Sequence, residues 1–151
     1  MVSHSSFFTQ HKGKKPFEVI DLNGIEQTLW PPHCVMGSKG AEFHPQLNRH
    51  AINFIVRKGY RKQVDSYSAF FENDKKTPTL LHKVLQPTNE FEVYICGLAL
   101  DYCVKYSAID CVDLGVKTFV ILDATRALGD SKACVDELKA KGIQIIHSKS
   151  I

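Results

Sequence analysis

Apolar and polar positions change character near residue 50 of the chain. Before that point the apolar residues are scattered, and prolines and histidines interrupt them, so the stretch reads as irregular loop. Beyond it, short apolar runs alternate with segments of helical spacing. Ala51-Ile52-Asn53-Phe54-Ile55-Val56 is apolar and β-branched and predicts a strand. Leu80 to Leu85 predicts a short helix ended by Pro87. Phe91 to Gly97 predicts a second strand. Asp101 to Leu114 follows with Val104, Ala108, Cys111 and Val112 on one broad face, and Gly115 as the stop. Thr118 to Asp123 predicts a third strand, Ser131 to Lys141 a helix closed by Gly142, and Ile143 to Ile146 a fourth strand.

Strands that are nearly continuous apolar runs, alternating with helices, predict an α/β fold with a doubly wound parallel sheet. Such sheets bind ligands beyond the carboxyl ends of their strands. Here those ends are Lys58, Gly97 to Cys103, and Asp123 to Arg126.

Composition narrows the setting. The chain has 151 residues, 44% hydrophobic and 23% charged, which fits one globular domain and excludes a largely disordered chain. The net charge is +3, and the basic residues form only two small clusters, Lys12 to Lys15 and Arg57 to Lys62. That pattern predicts no nucleic-acid partner. No run approaches the roughly 18 apolar residues of a membrane span, so no membrane association is expected. Met1 to Phe8 is too short and too polar for a secretory signal. The cysteines number five, irregularly spaced and without a CxxC pair. They read as reduced thiols in a cytoplasmic protein, with a nuclear location also open.

Three places could carry chemistry. Cys103 falls in the first turn of its predicted helix, where backbone N–H groups and the helix dipole favour an anion. There it reads either as a nucleophile or as a small buried hydrophobe. Cys96, Cys111 and Cys134 read as core. Lys58, directly after the first predicted strand, either projects into a site to stabilise an anion or is a solvated terminus. Trp30-Pro31-Pro32-His33 holds the only tryptophan beside a rigidly placed histidine. The indole suits an aromatic substrate and the imidazole a metal, or both serve only to pack the loop. His4 and His11 lie upstream as further donors.

The combination of Leu29 to Ser38, Arg57-Lys58-Gly59 with Asp65 to Phe70, Gly97 to Val104, and Leu122 to Arg126 resembles the nicotinamidases, within the isochorismatase-like cysteine hydrolases. The resemblance implies hydrolysis of nicotinamide to nicotinate and ammonia in NAD salvage. It assigns Cys103 as nucleophile, Lys58 as catalytic lysine, Trp30 as a wall for the nicotinamide ring, and His33 with His4 as ligands of a divalent zinc, iron or manganese ion. The N–H groups of Ala99 and Cys103 would form an oxyanion hole, helped by a cis bond between Leu98 and Ala99.

The chain also departs from the family pattern. The family's general base lies in an Asp-x-Gln-x-Asp-Phe motif, and its metal loop reads Asp-x-His-Pro-x-x-His. The first is absent here, and His4 matches only the last histidine of the second. The resemblance therefore implies a single domain over 1–151, incomplete at its N-terminus and lacking the family's first two strands. It implies weak metal binding, little or no ammonia release by this chain, and an open strand edge that invites pairing with a second copy as a homo-oligomer. An alternative is a catalytically inactive family member serving as a binding or partner protein.

Overall fold

Asn23 and Gly24 both take positive φ, 58° and 81°, as a tight hairpin turn demands. In the computed structural model, which describes residues 3–85 and 90–151, they join β1 (Val19–Leu22) to an antiparallel β2 (Ile25–Thr28). The Asp21 Oδ1 accepts the Gly24 amide at 2.9 Å and closes the turn. The stretch expected as irregular loop thus contains a hairpin. Beyond β2, Trp30 donates its amide to Ser6 and accepts that of Phe8, so residues 6–8 run parallel beside it.

The chain forms two compact units, Met1–Asp65 and Ser66–Ile151. In the first, the expected strand at 51–56 does not form. A 3₁₀ turn covers Arg49–Ala51, and the following residues join no ladder among the described strands. Phe54 is 80% exposed and Ile55 50%. β-branched residues favour extended backbone, but a strand exists only where a neighbour takes its N–H and C=O groups. Lys58 therefore follows an unpaired stretch rather than a strand end.

The second unit is the parallel α/β layer that the alternation predicted. Helix α1 (Leu80–Leu85) precedes β3 (Glu92–Leu98), and Pro87, its expected terminator, lies outside the described residues. Helix α2 (Lys105–Asp113), β4 (Lys117–Arg126), α3 (Ser131–Ala140) and β5 (Gln144–Ile146) follow. The three strands pair in parallel in the order β3-β4-β5.

Helix ends are specified by local chemistry. Asp130 caps α3 by accepting the amides of Lys132 and Ala133 at 2.9 and 3.1 Å. Gly142, with φ of 82°, donates to Lys139 while Ile143 donates to Leu138, the double bond of a Schellman stop. Helix α2 stops identically, through Gly115 to Val112 and Val116 to Cys111. Both stops bury the residue after the glycine in the core.

That core packs Val104 and Ala108 against Cys134 and Leu138, over Ile95, Val120 and Ile145 of the sheet. A salt bridge from Lys105 to Glu137, 3.1 Å, ties α2 to α3 above it. The alternate residues of β3 point the other way and are exposed, Cys96 among them. Cys96 was expected in the core, and the period-two alternation of the strand puts it on the opposite face. Cys111 and Cys134 are buried as expected. Among the described residues no helix is long and apolar enough to cross a membrane.

Candidate active site

Cys103 sits where β3 hands over to α2. Gly97, at φ of 110°, turns the chain, and the Leu98–Ala99 peptide that follows is cis. Residues Leu100–Val104 then wind as a π-helical turn before the α-helix proper begins at Lys105. The Ala99 carbonyl accepts two amides, from Tyr102 at 3.1 Å and Val104 at 3.0 Å. Sequence spacing predicted a plain α-helical first turn. The wider π turn preserves the apolar face, because Leu100 and Val104 still anchor it in the core, and such turns are frequent at functional sites. Cys103 is half-buried on this turn. Leu98 points outward, and Ala99 is half-buried with extended backbone.

Three side chains tie the turn to its surroundings. Thr125 Oγ1 donates to the Gly97 carbonyl at 2.6 Å. The Asp101 carboxylate accepts the amides of Leu128 and Gly129, at 3.1 and 2.8 Å, and so fixes the loop after β4. Ser107 Oγ donates to the Cys103 carbonyl at 2.6 Å. None of these was singled out from the sequence. Asp101 and Thr125 lie inside the segments that carry the family resemblance, which was the available signal; Ser107 offered only its position four residues past Cys103.

The N-terminal unit gathers His4, Trp30 and His33 around Phe7. The Phe7 ring lies 5.8 Å from His4 and 5.7 Å from His33, and Trp30 lies 6.3 Å from His33. Trp30 is nearly buried, and Phe17 meets it edge-on at 5.9 Å. His33 Nδ1 lies 2.8 Å from the Pro31 carbonyl. Only an N–H can make that contact, so Nδ1 carries the proton and Nε2 presents a lone pair. His4 is almost wholly buried, its Nδ1 meeting the Ser6 amide at 3.2 Å and the Ser6 hydroxyl at 2.8 Å. Its Nε2 is buried without a hydrogen-bond partner. A cation at that nitrogen would shift the ring proton to Nδ1, where Ser6 Oγ accepts it in exchange for the bond from the Ser6 amide. His11 points elsewhere, its Nε2 donating to the Ser5 carbonyl at 2.7 Å.

Both imidazoles thus suit a divalent metal. The described residues offer no group of three His, Cys, Asp or Glu able to hold one, so the pair supplies only part of the three or four protein ligands of a metal site. Lys58 is half-buried in the same unit. There too the carboxylate of Asp65 accepts the buried Gln27 Nε2 at 3.0 Å, which ties Asp65 to β2.

Residues 6–150 match the isochorismatase domain family. The nicotinamidase of Acinetobacter baylyi is 42% identical over 152 residues, covering 99% of this chain and 71% of that protein. The chain belongs to the isochorismatase family, on its nicotinamidase branch. A solved nicotinamidase from Acinetobacter baumanii superposes with a TM-score of 0.92 at 40% identity, over 99% of this chain and 73% of that one. A Pyrococcus horikoshii pyrazinamidase, solved in complex with zinc, superposes at 0.68 with 28% identity, over 96% of this chain and 69% of that one. This member of the isochorismatase family therefore shares its α/β fold with nicotinamidases.

Proposed function

We propose that this chain is a cytoplasmic amidohydrolase of NAD salvage that converts nicotinamide to nicotinate and ammonia through a thioester on Cys103. The observation that carries the reading is Cys103 on the helix-opening turn after β3, in a chain 42% identical to a nicotinamidase. Attack by Sγ on the carboxamide carbon forms the C–S bond. The oxyanion is stabilised by the amides of Ala99 and Cys103. Collapse breaks the C–N bond, and the proton given up by the thiol leaves on ammonia. Water then cleaves the thioester, returning the thiol and releasing nicotinate, so one hard hydrolysis becomes two easier steps. By the family resemblance Lys58 would be the catalytic lysine and Trp30 would wall the pyridine ring. His33 and His4 would hold a divalent ion, which when bound supplies a Lewis-acid contact for the substrate.

These 151 residues contain no Asp-x-Gln-x-Asp-Phe motif. Loss of a general base costs about 10²–10⁴-fold. The expected ammonia release from nicotinamide is therefore very slow beside that of the Acinetobacter baylyi relative, and Cys103→Ala abolishes what there is. Release that persists in that variant overturns the mechanism. A second reading is that the chain binds without turnover. Under it, an aldehyde analogue of nicotinamide adds to the Cys103 thiol as a hemithioacetal, while nicotinamide yields no ammonia at all.

A further inference from the structure

We infer that Ser107 is a positioning residue for Cys103, holding the backbone of the nucleophile through a hydroxyl bridge to Ala69. This rests on the reading of Cys103 as the nucleophile. Ser107 is 6% exposed, and its Oγ makes two bonds of opposite sense. It donates to the Cys103 carbonyl at 2.6 Å and accepts the Ala69 amide at 2.9 Å. A serine bonding back to the carbonyl four residues earlier is common in helices and by itself says little. The second bond changes its meaning, because Ala69 lies 38 residues away in sequence. Ala69 is in turn held at its carbonyl by the Thr79 hydroxyl, and Thr79 is 3% exposed. Thr79, Ala69, Ser107 and Cys103 therefore form one chain of bonds ending at the reactive residue.

The need for such a brace follows from the winding. The regular α ladder starts only at Lys105, and the turn bearing Cys103 closes irregularly, with two amides crowded on the Ala99 carbonyl and the Lys105 amide shared between Leu100 and Tyr102. The amides at a helix start attract an anion strongly only within the first turn. A small displacement of this turn carries Sγ out of their reach. Tyr67 reinforces the brace, its ring 5.4 Å from Tyr102 and 5.3 Å from Tyr106 on either side of Cys103.

The test is the rate of alkylation of each cysteine by iodoacetamide across pH 6–9, read by peptide mass spectrometry. Exposed Cys34 and Cys96 serve as internal references, and buried Cys111 and Cys134 report integrity of the fold. In the parent chain Cys103 should outpace Cys34 and Cys96 at neutral pH. Ser107→Ala should slow Cys103 about tenfold, a modest part of the roughly hundredfold that misplacement by 1 Å can cost, and Ser107→Thr should restore it. If Ser107→Ala exposes Cys111, Thr79→Val tests the same brace from its far end and should slow Cys103 in the same direction. A Cys103 rate unchanged in folded Ser107→Ala, equal in the Ala and Thr variants, or unchanged in Thr79→Val when that variant is needed, overturns the inference. A parent Cys103 no faster than Cys34 and Cys96 overturns instead the reading of Cys103 as an activated nucleophile, and the brace with it.

Discussion

Thr125, near the end of β4, gives its hydroxyl proton to the carbonyl of Gly97, 2.6 Å away and directly before the cis Leu98–Ala99 peptide. Thr125 is 4% exposed, so nothing outside the protein competes for the bond. Replacing it by valine keeps the shape and leaves the carbonyl without its donor. Thr125→Val should cost about 1–3 kcal/mol. In a chain of this size that lowers Tm by several degrees. An unchanged thermal or urea midpoint would mean that the Gly97 carbonyl is satisfied without the hydroxyl.

Asp101 acts on the loop after β4 rather than on its own helix. Its carboxylate takes the amides of Leu128 and Gly129, bonds to a charged acceptor. Bonds of that kind contribute about 1.5–3 kcal/mol. Asp101→Ala should therefore raise hydrogen exchange at those two amides roughly ten- to hundredfold, while Ile95 in β3 keeps its protection. Equal exchange in parent and variant would show that the loop is held by its own backbone.

Much of this arrangement was legible in the sequence because it depends on local patterns. β3, β4 and the helix stops at Gly115 and Gly142 follow from apolar runs and glycines that need no distant partner. The Asn23–Gly24 turn was equally local and among the strongest hairpin signals, but its strands are only four residues each and half polar. Segment 51–56 failed for the opposite reason: its composition suits a strand, whereas pairing is a property of the whole sheet. The π turn was hidden because inserting one residue leaves Leu100 and Val104 on the buried face. Ser107 was hidden because its partner Ala69 lies 38 residues away.

The buried thiols give the fold an alkaline limit. Burial pushes the Cys111 and Cys134 thiols above their ordinary range, since a thiolate in the core has lost its water. At Lys105 burial pulls downward, but the hydrogen bond and charge of Glu137 outweigh it and the ammonium titrates later than usual. All three groups keep their protons in the fold beyond the pH at which the unfolded chain loses them. Stability is therefore full below about pH 8.5, the ordinary thiol value, and falls as pH rises past it. Urea midpoints at pH 7 and pH 10 should differ in the parent, and the difference should shrink when Cys111 and Cys134 are both replaced by alanine. A midpoint equal at the two pH values would refute the assignment.

The two imidazoles make a separate prediction about metal. His33 is held in the tautomer that bares Nε2, and His4 buries an Nε2 that finds no hydrogen-bond partner among the described residues. His33 is ready to bind and His4 becomes so once its ring proton moves to Nδ1, but two ligands are fewer than the three or four of a protein metal site, and no third joins them among the described residues. Chain equilibrated with zinc and then dialysed should retain well under one equivalent. Added zinc should still shift the His33 and His4 ring signals in long-range ¹H–¹⁵N spectra, and zinc-free His33 should show its proton on Nδ1. His4→Ala should remove the weak binding, since the buried nitrogen has no substitute. Tight one-to-one retention that survives dialysis and is lost in His4→Ala would mean that the donor set is complete after all.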